Sequence, residues 1–292
     1  MAKFLLINPA ARGLTAEADE ILGYSLVERC RATEDPFSEY SRVAFLVSCL
    51  ALARWAEDEL GAEPEACVGP SFGGTPAAVH AGSLAFADAV RLTAGWSHRL
   101  DRYFAEQYGD VVTQSFARVP SQALDEVLAE LTAEGEWYDI ACRVDEDFHM
   151  LSLRERRVDW LRHRLRAIGG LALYTMRPPM HSRAFGELRD DIERTLFDGL
   201  EFADPRLPVV CDHDGKPLHT GDEIRTMLLD GIVRAVQWPT ALDTLRGRGI
   251  GTLWVAGPDS LWGRVRVATR NFDVVQLTPE KALAPRRRKT AA

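Results

Sequence analysis

The 292-residue chain is predicted to be an α/β protein in two parts, a larger part built on a mainly parallel sheet and a smaller part inserted into it. Three observations predict this fold class. Short apolar runs alternate with longer amphipathic segments towards both ends of the chain. The order of these segments changes between residues 109 and 177. A serine flanked by glycines directly follows one of the apolar runs.

The larger part is predicted to begin with a strand. Residues 4–7 form a short apolar run before Asn8, which predicts a buried strand. Before the insertion, helical spacing of apolar residues predicts helices over residues 15–30, 38–60 and 85–107. After the insertion, helices are predicted over residues 183–200, 221–236 and 239–248, and strands over 209–211 and 251–255. This alternation favours a parallel sheet covered on both faces.

The inserted part has its own element order. Strands are predicted over residues 111–118, 138–144, 148–153 and 171–176, with helices over 121–133 and 154–168. The order βαββαβ is the ferredoxin-like plan. We therefore place the larger part at residues 1–108 and 178–284 and the smaller part at 109–177, and we expect the basic segment 285–292 to be a flexible tail.

Composition narrows the functional classes. A net charge of −8, with 46% hydrophobic and 27% charged residues, is typical of a globular protein and argues against nucleic-acid binding. The five cysteines contain no C-x-x-C pair, so we expect free thiols and neither a disulfide framework nor a metal site. The chain shows neither a secretory signal nor an apolar stretch of about 20 residues, which predicts a cytoplasmic protein that does not bind membranes.

The glycine-flanked serine is the strongest catalytic signal. Residues 66–74 read A-C-V-G-P-S-F-G-G, which is an apolar strand, a tight turn and the start of a small-residue helix. This is the G-x-S-x-G nucleophile elbow, and Ser71 is the candidate nucleophile. The turn would place the hydroxyl at a helix N-terminus, where backbone amides stabilise an anion. Because glycine-flanked serines also occur by chance, a structural role stays open.

His181 is the candidate general base among seven histidines. It follows the last predicted strand of the smaller part, and two prolines, Pro178 and Pro179, fix the approach of the chain. Loops of this kind commonly display catalytic groups. The alternative is a solvated loop histidine.

Taken together, these motifs resemble a known family. Residues 69–74, 81–84 (A-G-S-L), 87–92 (A-D-A-V-R-L), 180–182 (M-H-S) and 236–238 (V-Q-W) are similar in type, order and spacing to malonyl-CoA:acyl carrier protein transacylases and polyketide synthase acyltransferases. The resemblance covers nearly the whole chain. It implies an α/β-hydrolase-like larger subdomain with an inserted ferredoxin-like one, and ping-pong acyl transfer by a Ser/His dyad.

The resemblance also implies roles for other residues. The backbone carbonyl of Gln237 would orient His181, and the amides of Phe72 and Ala11 would form the oxyanion hole. The family uses no cofactor or metal. Its acyl group arrives on the phosphopantetheine of an acyl carrier protein or on coenzyme A.

Departures from the family pattern bear on the substrate. Trp96 stands where extender-unit enzymes have the arginine that binds the malonyl carboxylate, and an indole cannot neutralise that charge. An uncharged acyl group is therefore expected, although Trp96 could be a core aromatic. Arg42 replaces a family glutamine and could pair with an acidic substrate or with Asp145.

Three further pocket residues depart from the family pattern, which suggests a reshaped, apolar pocket: Pro70, Pro179 and Met180. Such departures are similar to those of the stand-alone acyltransferases of macrolactam polyketide pathways, which move aminoacyl or dipeptidyl groups between carrier proteins in antibiotic biosynthesis.

A basic helix is the candidate surface for docking an acidic carrier protein, with Arg157 and Arg164 as its main contacts, although it could equally be a solvated face. Three alternatives to this function remain. They are thioester hydrolysis that clears acyl groups from carrier proteins, malonyl-type extender transfer, and carrier-protein binding without catalysis.

Overall fold

The computed structural model describes residues 1–258 and 261–284. The N-terminal region is mostly helical, with one short strand, β1 (Cys67–Val68). Its helices are α1 (Ala2–Ile7), α2 (Pro9–Leu22), α3 (Leu26–Ala32), α4 (Glu39–Trp55), α5 (Gly74–His80) and α6 (Phe86–Gln107). A π-helical turn at Ala56–Leu60 continues α4, and a 3-10 turn at Ser71–Gly73 leads into α5.

The predicted strand at residues 4–7 is wrong, because this segment is helix α1. Leu5 is fully buried, whereas Ile7 is 55% exposed, so the short run packs as one face of a helix. Asn8 ends α1 by donating its backbone N–H to the Phe4 carbonyl. Its side chain then accepts the Ala11 N–H and caps α2.

The predicted helix over 15–30 is two helices. Gly23, at φ +74°, ends α2, and Ser25 caps α3.

The smaller subdomain has the predicted βαββαβ order. It contains β2 (Val111–Ala117), α7 (Ser121–Ala133), β3 (Tyr138–Asp145), β4 (Phe148–Arg154), α8 (Val158–Ala167) and β5 (Leu171–Met176). Its strands are antiparallel in the order β5-β2-β4-β3, which is the ferredoxin-like arrangement. The edge strand β8 (Val236–Gln237) joins the sheet parallel to β3 and ties it to the larger subdomain.

The larger subdomain resumes after β5. Its helices here are α9 (Gly186–Ile192), α10 (Gly221–Asp230), α11 (Trp238–Gly247), α12 (Leu261–Arg264), α13 (Arg266–Thr269) and α14 (Pro279–Leu283). Its strands are β6 (Val209–Val210), β7 (Pro217–Leu218), β9 (Thr252–Ala256) and β10 (Asp273–Leu277). β1 pairs with β6 and β9 pairs with β10, both in parallel, while β7 is antiparallel to β6. The α/β fold class with two subdomains is confirmed.

Helix α4 is the central helix of the larger subdomain. It packs against α2 and α6, and most of its residues are buried. Within the described residues, no helix is both long and apolar enough to cross a membrane. The predicted flexible tail, 285–292, lies outside the part of the chain that the structure describes.

The core of the smaller subdomain is predicted to be essential for its stability. Phe116 on β2 is fully buried, so Phe116→Ala should lower the free energy of unfolding by about 3–5 kcal/mol through lost burial and cavity formation. Leu173 on β5 is 40% exposed, and Leu173→Ala should cost less than about 1 kcal/mol. Urea denaturation would compare the two. Equal losses would contradict this placement of the core.

Candidate active site

Ser71 lies at the sharp turn between β1 and α5. Its φ of +55° is unusual for a residue with a side chain, and its N–H donates to Asp212 Oδ2 at 2.8 Å. A Cβ atom on Gly69 would lie 1.8 Å from the Gly73 carbonyl oxygen, so the turn closes only with glycine at position 69. The tertiary contact to Asp212 and the close backbone approach together hold the strained serine.

His181 lies in the loop between β5 and the 3-10 turn Arg183–Phe185, and it is 8% exposed. Its φ of +64° makes it the second site residue in the left-handed region. The next residue, Ser182, fixes the loop. The Ser182 N–H donates to the Ile232 carbonyl at 3.1 Å, and its hydroxyl donates to the Asp139 carboxylate on β3. The histidine is therefore held by both subdomains.

The turn and the loop bring the two side chains together. Ser71 Oγ lies 2.8 Å from His181 Nε2, which is hydrogen-bonding distance. Burial lowers the pKa of His181 to about 4, although the backbone carbonyls of Gly231 and Arg234 raise it slightly. The imidazole is therefore neutral at physiological pH, the form that can accept the serine proton.

The contacts near the other imidazole nitrogen differ from those the family resemblance implied. The Gln237 N–H donates to the Asp212 carbonyl at 2.7 Å, and the residue pairs with β3 at the sheet edge. The carbonyls whose hydrogen bonding raises the pKa of His181 belong to Gly231 and Arg234. Nδ1 of His181 makes no hydrogen bond of regular geometry within the described residues. The orienting role assigned to Gln237 therefore stays a prediction, and the carbonyls of Gly231 and Arg234 lie near the imidazole without a regular hydrogen bond to Nδ1.

The oxyanion assignment of Ala11 is also wrong. Because the first segment is helical, Ala11 lies inside α2, fully buried, and its N–H donates to Asn8 Oδ1 at 3.1 Å. Phe72 follows Ser71 in the 3-10 turn, where N-terminal amides are free of helical partners. The Phe72 amide remains the candidate oxyanion donor.

A buried polar cluster, Cys211, Asp212 and His213, supports the nucleophile turn and was missed from the sequence. Asp212 Oδ1 lies 3.0 Å from His213 Nε2, and Cys211 Sγ lies 3.6 Å from His213 Nδ1. Burial raises the pKa of Asp212 to about 6 and lowers that of His213 to about 3. Its position in the sequence was the signal that could have identified this cluster. A polar pair directly after a buried strand lies at the carboxyl edge of a parallel sheet, where functional residues are commonly found.

Among the described residues, these three side chains are the group that offers three potential metal ligands close together, within 4.8 Å of one another. Their ligand atoms already contact each other and the Ser71 amide. The cluster is therefore satisfied as a hydrogen-bonded support for the turn.

The dyad opens into a narrow, mostly apolar cleft. Trp96, Met180 and Arg42 line it together with the two dyad residues. Pro70 lies instead at a second cavity on the other side of the turn, and Pro179 is buried outside the cleft lining. The pocket role predicted for these two prolines is therefore not supported by their positions.

The predicted pairing of Arg42 with Asp145 is wrong. Asp145 lies in the smaller subdomain, where one carboxylate oxygen accepts the backbone N–H groups of Arg266 and Val267 at 2.6 and 3.2 Å. Arg42 is 4% exposed, and its guanidinium lies over the ring of Phe72 at 4.6 Å.

The arginines predicted to dock a carrier protein have partners within the smaller subdomain. Arg157 pairs with Glu134 and lies over the Trp160 ring at 4.5 Å. Arg164 pairs with Glu130 at 2.6 Å. Because these glutamates on and beside α7 neutralise the two side chains, the helix does not present them as a free basic patch.

The fold and the site define an α/β protein of two subdomains with a Ser/His dyad on a nucleophile turn. Residues 115–176 match the model of the VinK acyltransferase small domain. The malonyl CoA-acyl carrier protein transacylase of Bacillus subtilis is 22% identical over 86% of this chain and 63% of its own length. Polyketide biosynthesis protein PksE of Bacillus subtilis is 25% identical over 92% of this chain and 35% of its own length.

Polyketide biosynthesis protein ThaF of Burkholderia thailandensis is 28% identical over 80% of this chain. The chain covers only 20% of ThaF, and it covers less than two thirds of the other two relatives as well. Solved structures share the fold. A type II polyketide synthase malonyl-transacylase in complex with its acyl carrier protein superimposes with a TM-score of 0.83 at 22% identity, over 97% of this chain and 92% of that chain.

The transacylase of Coxiella burnetii also gives a TM-score of 0.83, at 23% identity over 97% of this chain and 91% of that chain. These comparisons confirm the resemblance. The chain is similar to malonyl-CoA:acyl carrier protein transacylases and to polyketide biosynthesis proteins over most of its length.

The two glycines of the turn are predicted to differ in their tolerance of a side chain. Gly69→Ala would force a Cβ atom into the Gly73 carbonyl, and should displace Ser71 and lower the rate of serine acylation by at least about 100-fold. Gly73→Ala meets its nearest atom, Pro70 Cδ, at 3.5 Å, and should keep the rate within a few-fold. Labelling by an active-serine fluorophosphonate would compare the variants. Similar losses in both would contradict the geometry.

The low pKa of His181 predicts an unusual pH dependence. Because the imidazole is neutral above about pH 4, the second-order rate of Ser71 acylation should keep its plateau down to about pH 5 and fall below that as His181 is protonated. Stopped-flow acylation across this range would measure it. An inflection near pH 6 that vanishes in Asp212→Asn would belong to Asp212, whereas one near pH 6.5 in both proteins would contradict the prediction.

Proposed function

We propose that this chain transfers a non-malonyl acyl group to or between acyl carrier proteins in polyketide biosynthesis, through an acyl-enzyme on Ser71. The group would be aminoacyl, dipeptidyl or otherwise uncharged. The observation that carries the proposal is the 2.8 Å contact between Ser71 Oγ and His181 Nε2 in a cleft. Such a pair is the minimal apparatus for covalent acyl transfer.

In the first half-reaction, Ser71 Oγ attacks the carbonyl carbon of a thioester while its proton passes to His181 Nε2. The Phe72 amide would stabilise the negative oxygen that forms. The carbon–sulfur bond then breaks, and His181 returns the proton to the leaving sulfur. The products are an acyl ester on Ser71 and a free thiol.

In the second half-reaction, an acceptor thiol gives its proton to His181 and attacks the ester carbonyl. The carbon–oxygen bond to Ser71 breaks, and the serine oxygen regains its proton from His181. Water in place of the thiol would give hydrolysis with the same residues.

Two observations support the choice of acyl group and partner. Trp96 lines the cleft where an arginine would be needed for a malonyl carboxylate, which supports an uncharged group. One relative in fold was solved as a complex of a malonyl-transacylase with its acyl carrier protein, and two curated relatives are named as polyketide biosynthesis proteins. The acyl group would arrive on phosphopantetheine or coenzyme A, and no other cofactor is needed for these steps.

The proposal predicts a covalent adduct on one serine. Incubation with a panel of acyl thioesters should give, by intact mass and peptide mapping, an aminoacyl or other uncharged adduct on Ser71 and little from malonyl. Ser71→Ala should form none, and His181→Ala should slow formation by about 100- to 10,000-fold, as loss of a general base does. His163→Ala, an exposed histidine on α8, is the matched control and should react normally.

Adding a carrier protein with a free phosphopantetheine thiol separates the candidate functions. Transfer predicts that the adduct leaves Ser71 and appears on the carrier protein. Loss of the adduct as free acid at the same rate with or without the carrier protein would indicate hydrolysis. Preferential malonylation would overturn the choice of acyl group, and absence of any Ser71 adduct would overturn the proposal.

A further inference from the structure

Arg42 on helix α4 carries an unpaired guanidinium into the cleft of the dyad. The residue is 4% exposed, and its Nε and Nη1 atoms are buried without a hydrogen-bond partner. No described residue forms an ion pair with it. Its guanidinium stacks over the ring of Phe72, the residue directly after the nucleophile. The charge therefore lies next to the point where an acyl group would be attached.

Trp96 adds a second unpaired donor to the same cleft. Its indole Nε1 is buried without a hydrogen-bond partner, and its ring is fixed edge-on against Phe197 at 5.9 Å. Trp96 and Arg42 line one cavity together with Ser71 and His181. The cleft thus holds buried N–H groups of two side chains that have no acceptor, within a mostly apolar lining.

Buried donors without acceptors are costly, and a buried charge more so. Burial lowers the pKa of Arg42 only to about 10, partly because Asp101 and Asp35 oppose the shift from a distance, so the side chain is charged at neutral pH. A purely structural arginine would be expected to pair with a carboxylate or a carbonyl, as Arg164 does with Glu130. The unpaired donors instead indicate a place for an acceptor that comes with a ligand.

We propose that Arg42 and Trp96 select an acyl chain that carries an oxygen acceptor, an amide or carboxylate oxygen, a few bonds beyond the thioester carbonyl. This inference rests on the proposed function of Ser71 and deepens it by naming the chemistry that the cleft recognises. The oxygen accepts from the guanidinium and the indole N–H, while apolar side chains such as Met180 and Leu228 surround the rest of the chain. A plain hydrocarbon chain would leave the donors unpaired and bind less well.

The two oxygen sources differ in charge. The amide carbonyl of an aminoacyl or dipeptidyl group offers an acceptor without a negative charge, in agreement with the proposed function. A carboxylate offers the same acceptors and would also neutralise the guanidinium. Because both satisfy the same donors, thioesters of matched chain length distinguish them.

The experiment measures single-turnover acylation of Ser71 by pantetheine thioesters of pentanoic acid, N-acetylglycine and glutaric acid. These give chains of equal length with no distal acceptor, an amide oxygen or a carboxylate. In the unmodified protein, at least one acceptor-bearing thioester should exceed pentanoyl by about 10- to 100-fold, as expected for one or two hydrogen bonds to a charged donor. Arg42→Met should reduce that excess to about twofold or less.

Two further variants complete the design. Trp96→Phe keeps the ring but removes the N–H, and should reduce the excess by a few-fold; it also tests the inference if Arg42→Met does not fold. Arg54→Met, an exposed arginine on the same helix, should keep the full excess.

Equal rates for all three thioesters, or an excess that survives Arg42→Met, would overturn the inference and leave the acyltransferase proposal standing. A preference for glutaryl over N-acetylglycyl would uphold the inference and assign the oxygen to a carboxylate, against the uncharged group proposed above. Labelling of Ser71 by none of the thioesters would overturn both.

Discussion

The contact between Ser71 Oγ and His181 Nε2 depends on two residues held in left-handed backbone conformations, which neither side chain favours by itself. Each is stabilised by tertiary hydrogen bonds: the Ser71 amide to Asp212, and the neighbouring Ser182 to Ile232 and to the smaller subdomain. The partners lie on segments far apart in the chain. The dyad is therefore held by contacts from both subdomains, and local strain at the site is offset by the rest of the structure.

Burial has opposite consequences for the groups around this contact. It keeps His181 neutral and so prepares it to accept a proton. It raises the pKa of Asp212, whose carboxylate is held by the Ser71 amide and by contact with His213. Arg42 stays charged because guanidinium is too basic for burial to neutralise it. The same cleft thus contains an acidic cluster whose hydrogen bonds are satisfied and a cation whose hydrogen bonds are not. This difference indicates that the ligand supplies an acceptor to Arg42.

The smaller subdomain stabilises the fold and positions the loop of His181, and it does not supply either residue of the dyad. Its four-stranded sheet extends through β8 into the larger subdomain, and Asp139 on β3 holds the loop of His181. Two of its arginines, Arg157 and Arg164, form ion pairs with Glu134 and Glu130, and their predicted role in docking a carrier protein stays a prediction.

The sequence by itself predicted the fold class and the βαββαβ order, and it singled out Ser71 and His181 as candidate nucleophile and base, because periodicity and the G-x-S-x-G turn are local patterns. It did not determine that residues 2–7 form a helix. A short apolar run can form the buried face of a helix or of a strand, and only packing against neighbouring elements decides between them. Only the tertiary structure decided that carbonyls of Gly231 and Arg234 lie near His181, and that Asp212 supports Ser71. Those contacts join residues distant in the chain, and nothing local encodes which partners meet.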